Sequence, residues 1–191
     1  MNGQKNMKLW CFLILLVVTI ATSSIAIAGG YPSPEEAVLA YYDALFSLDA
    51  EALIATTQLG EDCVNAITDE TFSKAQREYP NVGRRDDYIS RLINYRETIR
   101  KVFADPSKYF RNGDMSAFDI LIIDIEAVDE SNVEWFRQYK LVHDFSDVRI
   151  VNFDLVKKST GEREHSGEGT VELNGKWYVY DGLNWHYYVN N

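Results

Sequence analysis

Apolar side chains recur at steps of three and four through the first half of the chain and at steps of two through most of the second. The first regime opens at Ser33-Pro34-Glu35-Glu36, where Ser33 can cap a helix and Pro34 suits the first helical position. Glu36, three residues after the cap, completes a capping box, and both glutamates face the positive end of the helix dipole. Val38, Tyr41, Tyr42, Leu45 and Leu48 then form one apolar stripe, which predicts an amphipathic helix. Asp49 predicts the cap of a second, shorter helix through Ala52, Leu53 and Ile54, ending near Gly60. From Asp62 to about Ser107 the pattern predicts more helix, broken at Tyr79-Pro80-Asn81-Val82-Gly83. Beyond that break Ile89, Leu92, Ile93, Arg96, Ile99 and Phe103 keep helical spacing behind Asp86 or Asp87 as cap, and Asp105-Pro106 stops the helix.

From Phe118 the period reads as strand. Phe118 to Val128 has no polar face over Ile120-Leu121-Ile122-Ile123, which predicts a strand buried on both sides. Asp129 to Asn132 turns the chain, Val133 to Phe145 and Val148 to Lys157 alternate as two long antiparallel strands, and Ser159 to Glu162 turns it again. Glu164 to Leu173 follows. Asn174-Gly175 is a strong hairpin signal, with Trp177 to Tyr180 returning. Helices first and a strand meander afterwards predict an α+β domain, with the N-terminal helices packed on one face of an antiparallel sheet. One domain over 29–191 suffices at this length.

The N-terminus adds a compartment. Lys5 and Lys8 precede an uncharged run from Leu9 to Ala28 that ends in Ala26-Ile27-Ala28, the basic, apolar, small-residue order of a secretory signal over 1–28, with cleavage expected before Gly29. An uncleaved anchor is the competing reading, since the run approaches the ~20 residues that span a bilayer. Either way the rest of the chain is exported, secreted or periplasmic, and membrane-bound only if the segment is retained. Bulky Trp10 before Cys11 argues against lipid attachment there. Cleavage leaves Cys63 as the one cysteine, read as a buried small apolar residue rather than a thiol that pairs with another chain.

The chain carries 29 acidic against 19 basic residues, a net charge of -10, and losing Lys5 and Lys8 makes it more acidic still. The adjacent basic pairs Arg84-Arg85, Arg100-Lys101 and Lys157-Lys158 are scattered, so neither nucleic acid nor an anionic membrane surface is an expected partner.

The segment from Pro34 to Leu53, a helix with the aromatic pair Tyr41-Tyr42 leading into Asp49 and a second helix, resembles the opening of the nuclear transport factor 2-like superfamily, the cystatin-like α+β cone. Gly169 to Asp181, with Trp177 soon after the turn, resembles that superfamily's closing hairpin. The resemblance implies a cone-like fold: a strongly curved antiparallel sheet wrapped around helices, often enclosing a pocket and often dimerising through the outer sheet face. It implies no single activity, since the same fold hosts isomerases, hydratases, transport adaptors and non-catalytic lids.

Candidate chemistry centres on the Val133 to Phe145 segment. As a strand it places Trp135, Arg137, Tyr139, Leu141 and His143 on one face, the mixture of aromatic area, one cation and one titratable ring that a small-molecule pocket wall offers. Packing under the helices accounts for the same residues. Asp124 interrupts an apolar run, so it is either a tuned acid or base, paired with Arg137, or emerging into solvent. His143, His165 and His186 stand on separate segments, so no metal site is expected. There is no His-Glu-x-x-His, no Gly-rich phosphate loop and no Gly-x-Ser-x-Gly elbow, so no cofactor is implied and no catalytic residue is assigned. The aromatic tail Trp185 to Tyr188 either seals a sheet edge or offers a contact patch.

Three functions remain open from the sequence. The first is a non-enzymatic module binding a small ligand or a protein. The second is an isomerase- or dehydratase-type enzyme using Asp124 or His143 with Tyr139, and the third is a structural dimerisation domain, a homodimer formed through the sheet.

Overall fold

The computed structural model describes residues 29–106, 117–128 and 134–180, with side-chain surroundings in the 134–143 helix given from Arg137 onward. The expected signal segment over 1–28, the expected turn from Asp129 to Asn132, the side chain of Trp135 and the stretch holding Trp185 and His186 lie outside the described residues. Among those described, no helix is long and apolar enough to cross a membrane.

Among the described residues five α-helices come first: α1 (Pro34–Ser47), α2 (Ala50–Thr56), α3 (Glu61–Asn65), α4 (Asp69–Glu78) and α5 (Arg85–Ala104). Then follow β1 (Phe118–Ala127), α6 (Glu134–His143), β2 (Asp147–Lys157), β3 (Arg163–Leu173) and β4 (Lys176–Tyr180), the strands forming one antiparallel sheet in the order β1-β2-β3-β4. The domain is α+β.

The local signals explain most of these limits. Ser33 Oγ accepts the Glu36 amide at the start of α1. Leu48 closes that helix in the left-handed region (φ 56), which returns the Asp49 amide to the Ala44 carbonyl at 2.9 Å and leaves the Asp49 carboxylate to accept the Ala52 amide at the start of α2. Thr68 and Thr71 satisfy each other's backbone in a capping box at α4. α5 starts earlier than expected: its N-cap is Arg84, and Asp86 and Asp87 sit in the first turn against the dipole. Between β3 and β4, Asn174 (φ 53) and Gly175 (φ 75) both adopt positive φ, as a two-residue type I′ hairpin requires.

Two expectations fail. The segment from Val133 to Phe145 is not a strand; Glu134–His143 is α6. Tyr139 and Val142 step by three and Tyr139 and His143 by four, so the helix gathers three side chains on one buried face that a strand would have split between two. Glu134, Gln138, Lys140 and Leu141 are good helix formers, and the alternation was coincidental. The second failure is β1, which is not buried on both sides: it is an edge strand, exposed along most of its length, with a bulge between Ile122 and Asp124.

Pairing and alternation assign the sheet faces. Val151, Phe153 and Val179 face α1, where they join Val38, Tyr41, Tyr42, Leu45 and Leu53 in the larger core. Tyr42 meets Phe153 edge-on at 5.1 Å and donates to Glu168 at 2.8 Å. The opposite face is also covered near β3 and β4, where Val148, Val171, Tyr178 and Tyr180 pack with Cys63 and Phe145. Helices therefore cover one face throughout and the second face at one end.

Candidate functional site

α6 presents two faces with different surroundings. On the inner one, the His143 ring is fully buried. Its Nδ1 lies 3.1 Å from the Cys63 carbonyl, which can only accept, so the proton is on Nδ1; Nε2 then accepts from the Tyr88 hydroxyl at 2.9 Å. Phe145 stacks on the imidazole with ring centroids 4.9 Å apart and nearly parallel planes. Burial holds the His143 pKa down at about 4, opposed only weakly by the Cys63 carbonyl bond, so the ring is neutral at physiological pH. Burial likewise pushes the Tyr88 hydroxyl up, with Tyr139 adding to the effect and Arg91, 5.5 Å from the ring centroid, opposing it. The Cys63 thiol is buried and its pKa is raised by desolvation and by Asp62, which makes it an inert thiol. Tyr139, half-buried, meets Tyr180 edge-on at 5.3 Å. A phenol, a neutral imidazole and a backbone carbonyl thus bind α5, α6 and α3 together around a fully buried ring.

On the outer face, Arg137, Lys140, Leu141 and Asp144 turn toward α4, where they line a notch of about 230 Å³ with Lys74, Glu78 and Phe145. Three cations and two carboxylates surround a floor that includes the apolar Leu141 and Phe145. Asp144 ends the helix in the left-handed region (φ 58), which carries the chain into the buried Phe145.

The sequence-predicted set is therefore divided. Tyr139 and His143 are inward and engaged within the protein, Arg137 and Leu141 line the notch, and Asp124 belongs to neither group. Asp124 lies on β1, exposed, where its carboxylate accepts from Asn152 Nδ2 at 2.7 Å; Asn152, not Arg137, is its partner. His143 cannot reach a substrate with both ring nitrogens bonded inside the core. Sequence reasoning missed Lys74, Glu78, Lys140 and Asp144, because a notch between two helices appears only once α6 is known to be a helix. The steps 137, 140, 141 and 144 were the available signal. Among the described residues, no cluster of His, Cys, Asp and Glu could hold a metal ion.

No protein-family model and no curated protein sequence matches the chain. Among solved structures it is similar to a cystatin-like protein from Ruminococcus gnavus ATCC 29149, at 17% sequence identity and a TM-score of 0.49. The likeness covers 80% of this chain and 41% of that one, so the chain spans less than half the length of that protein.

Proposed function

We propose that the protein is a non-enzymatic binding module, exported from the cytoplasm, that takes a small anionic ligand in the notch between α4 and α6. The observation that carries this reading is the gathering of Arg137, Lys74 and Lys140 at one concavity on a chain whose net charge is -10. A guanidinium there can hold a carboxylate through paired hydrogen bonds while Leu141 and Phe145 supply apolar contact. The Lys5 to Ala28 pattern supports export. The closed interior around His143 speaks against the isomerase-type alternative, which needs an acid or base open to a substrate.

Thermal-shift measurements with a panel of aliphatic and aromatic carboxylates test the notch. At least one should stabilise the wild type, and Arg137→Ala should lose the response while keeping its helical circular dichroism. A panel without effect, or an unchanged response in the folded variant, overturns the reading. N-terminal sequencing of the exported protein tests the compartment: Gly29 as first residue is expected, and a retained Leu9 to Ala28 run would make the protein an anchored one.

A further inference from the structure

Beyond the notch, one strand edge is open among the described residues. β1 is bonded to β2 on one side only, and among the described residues no backbone hydrogen bond reaches its other edge. Along that edge Leu121, Ile123 and Ile125 are 46%, 49% and 37% exposed, three of the five large apolar residues that are exposed among those described. A ten-residue edge with unpaired backbone groups and apolar side chains is a template for another strand.

The two faces of β1 specify what that strand carries. On the helix side Ile120, Ile122 and Ile125 lie opposite Leu155, Phe153 and Val151, so their row continues the core outward and an added strand would extend it with apolar residues. On the other side Asp119, Leu121, Asp124 and Glu126 lie opposite Val156, Asp154, Asn152 and Ile150, a row with one apolar residue among three carboxylates. Lys158 reaches Asp119 at 3.4 Å, but Asp124 and Glu126 have no cationic partner among the described residues. We infer that the free edge of β1 docks an extended segment of another protein whose residues alternate, apolar on the helix side and Lys or Arg on the outer side.

Charge complementarity selects this occupant over a second copy. Full antiparallel overlap of β1 with itself sets Asp119 opposite Glu126 at both ends, like charges directly across a ladder. The chain's own tail from Asp181 to Asn191 contains no Lys or Arg, so it does not answer these carboxylates either.

The test uses the full chain with two dye-labelled decapeptides, one alternating valine with lysine and one alternating valine with glutamate. Fluorescence anisotropy should show the lysine peptide binding at least tenfold more tightly than the glutamate one. The double variant Asp124→Lys/Glu126→Lys, whose changes are at exposed positions, should reverse that order, while Arg137→Ala should leave it unchanged. Hydrogen exchange should show the new protection on β1. Equal binding of both peptides, no binding of either, a preference that survives the charge reversal, protection away from β1, or a wild type that is already a dimer through β1 in sedimentation would each overturn the proposal. Because Arg137 lies off this edge, failure here leaves the notch reading standing, and the reverse holds too.

Discussion

At the β4 edge, Tyr31 exchanges two backbone bonds with Trp177, at 2.9 and 2.7 Å, and the Gln58 amide donates to the Val179 carbonyl at 3.2 Å. Gly30 (φ +83) makes the first contact possible, since a Cβ there would lie 2.6 Å from Lys176 Cβ and 2.7 Å from the Tyr178 ring. Both faces of β4 are buried as well, Val179 against α1 and Tyr178 with Cys63. At the β1 edge none of this happens among the described residues: no backbone hydrogen bond reaches its outer side, and Ile123 and Ile125 are exposed. Stability is thus concentrated where N-terminal chain, α3 and α6 converge on β3 and β4. The β1 end contributes less to holding the fold and is correspondingly free to meet a partner.

The sharpest way to break that contrast is at the His143 hub. His143→Ala should cost roughly 3–5 kcal/mol in urea melts, because it removes a buried ring and leaves the Tyr88 hydroxyl and the Cys63 carbonyl without partners. The β1 edge should still bind its probe below the melt, whereas the notch, whose floor includes Phe145 stacked on His143, should bind its ligand more weakly.

Acid attacks the same point. The folded ring has a pKa of about 4 against about 6.5 in the unfolded chain, so the unfolded state takes up the proton first. Stability from this group is complete above pH 6.5 and falls as pH drops toward 4, by about 3 kcal/mol in total. In a pH series of urea melts, His143→Phe should be less stable at neutrality but should lack that part of the slope. An unchanged slope would assign the acid sensitivity elsewhere.

Smaller effects follow at the closed end and its cover. Gly175→Ala forces a side chain into positive φ with no steric clash beyond its own backbone, so a loss of about 1–2 kcal/mol is expected. Ser33→Ala removes the α1 cap and should cost about 1 kcal/mol. At the open end, Ile123→Thr should change stability by less than about 0.5 kcal/mol. A loss near 2 kcal/mol there would mean that β1 is covered in solution and would remove the contrast.

How far the sequence carried this picture depends on which signal each segment offered. α1, α2 and the β3–β4 hairpin were legible because their end signals are chemical: a Ser33 cap, an Asp49 cap, an Asn-Gly turn. α6 was not. Its ten residues fit alternation as readily as a helical period, and what decides between them is the packing of Tyr139 and His143 against Tyr88 and Tyr180, partners from distant parts of the chain. That one misreading dispersed the site: it grouped Arg137 with His143, which the helix turns to different faces. β1 misled for a related reason. A continuous apolar run predicts burial on both faces, and nothing local told that the strand would lie at an edge with its isoleucines half in water.

Backbone hydrogen–deuterium exchange on the isolated full chain is the most direct test of the contrast between the two edges. The β4 amides from Trp177 to Tyr180 should exchange only with global unfolding, whereas the β1 amides that point away from β2 should exchange at least about a hundredfold faster. Equal, slow exchange on both edge strands in a monomer would contradict the account, since it would show that β1 is sealed and that the fold keeps no free edge.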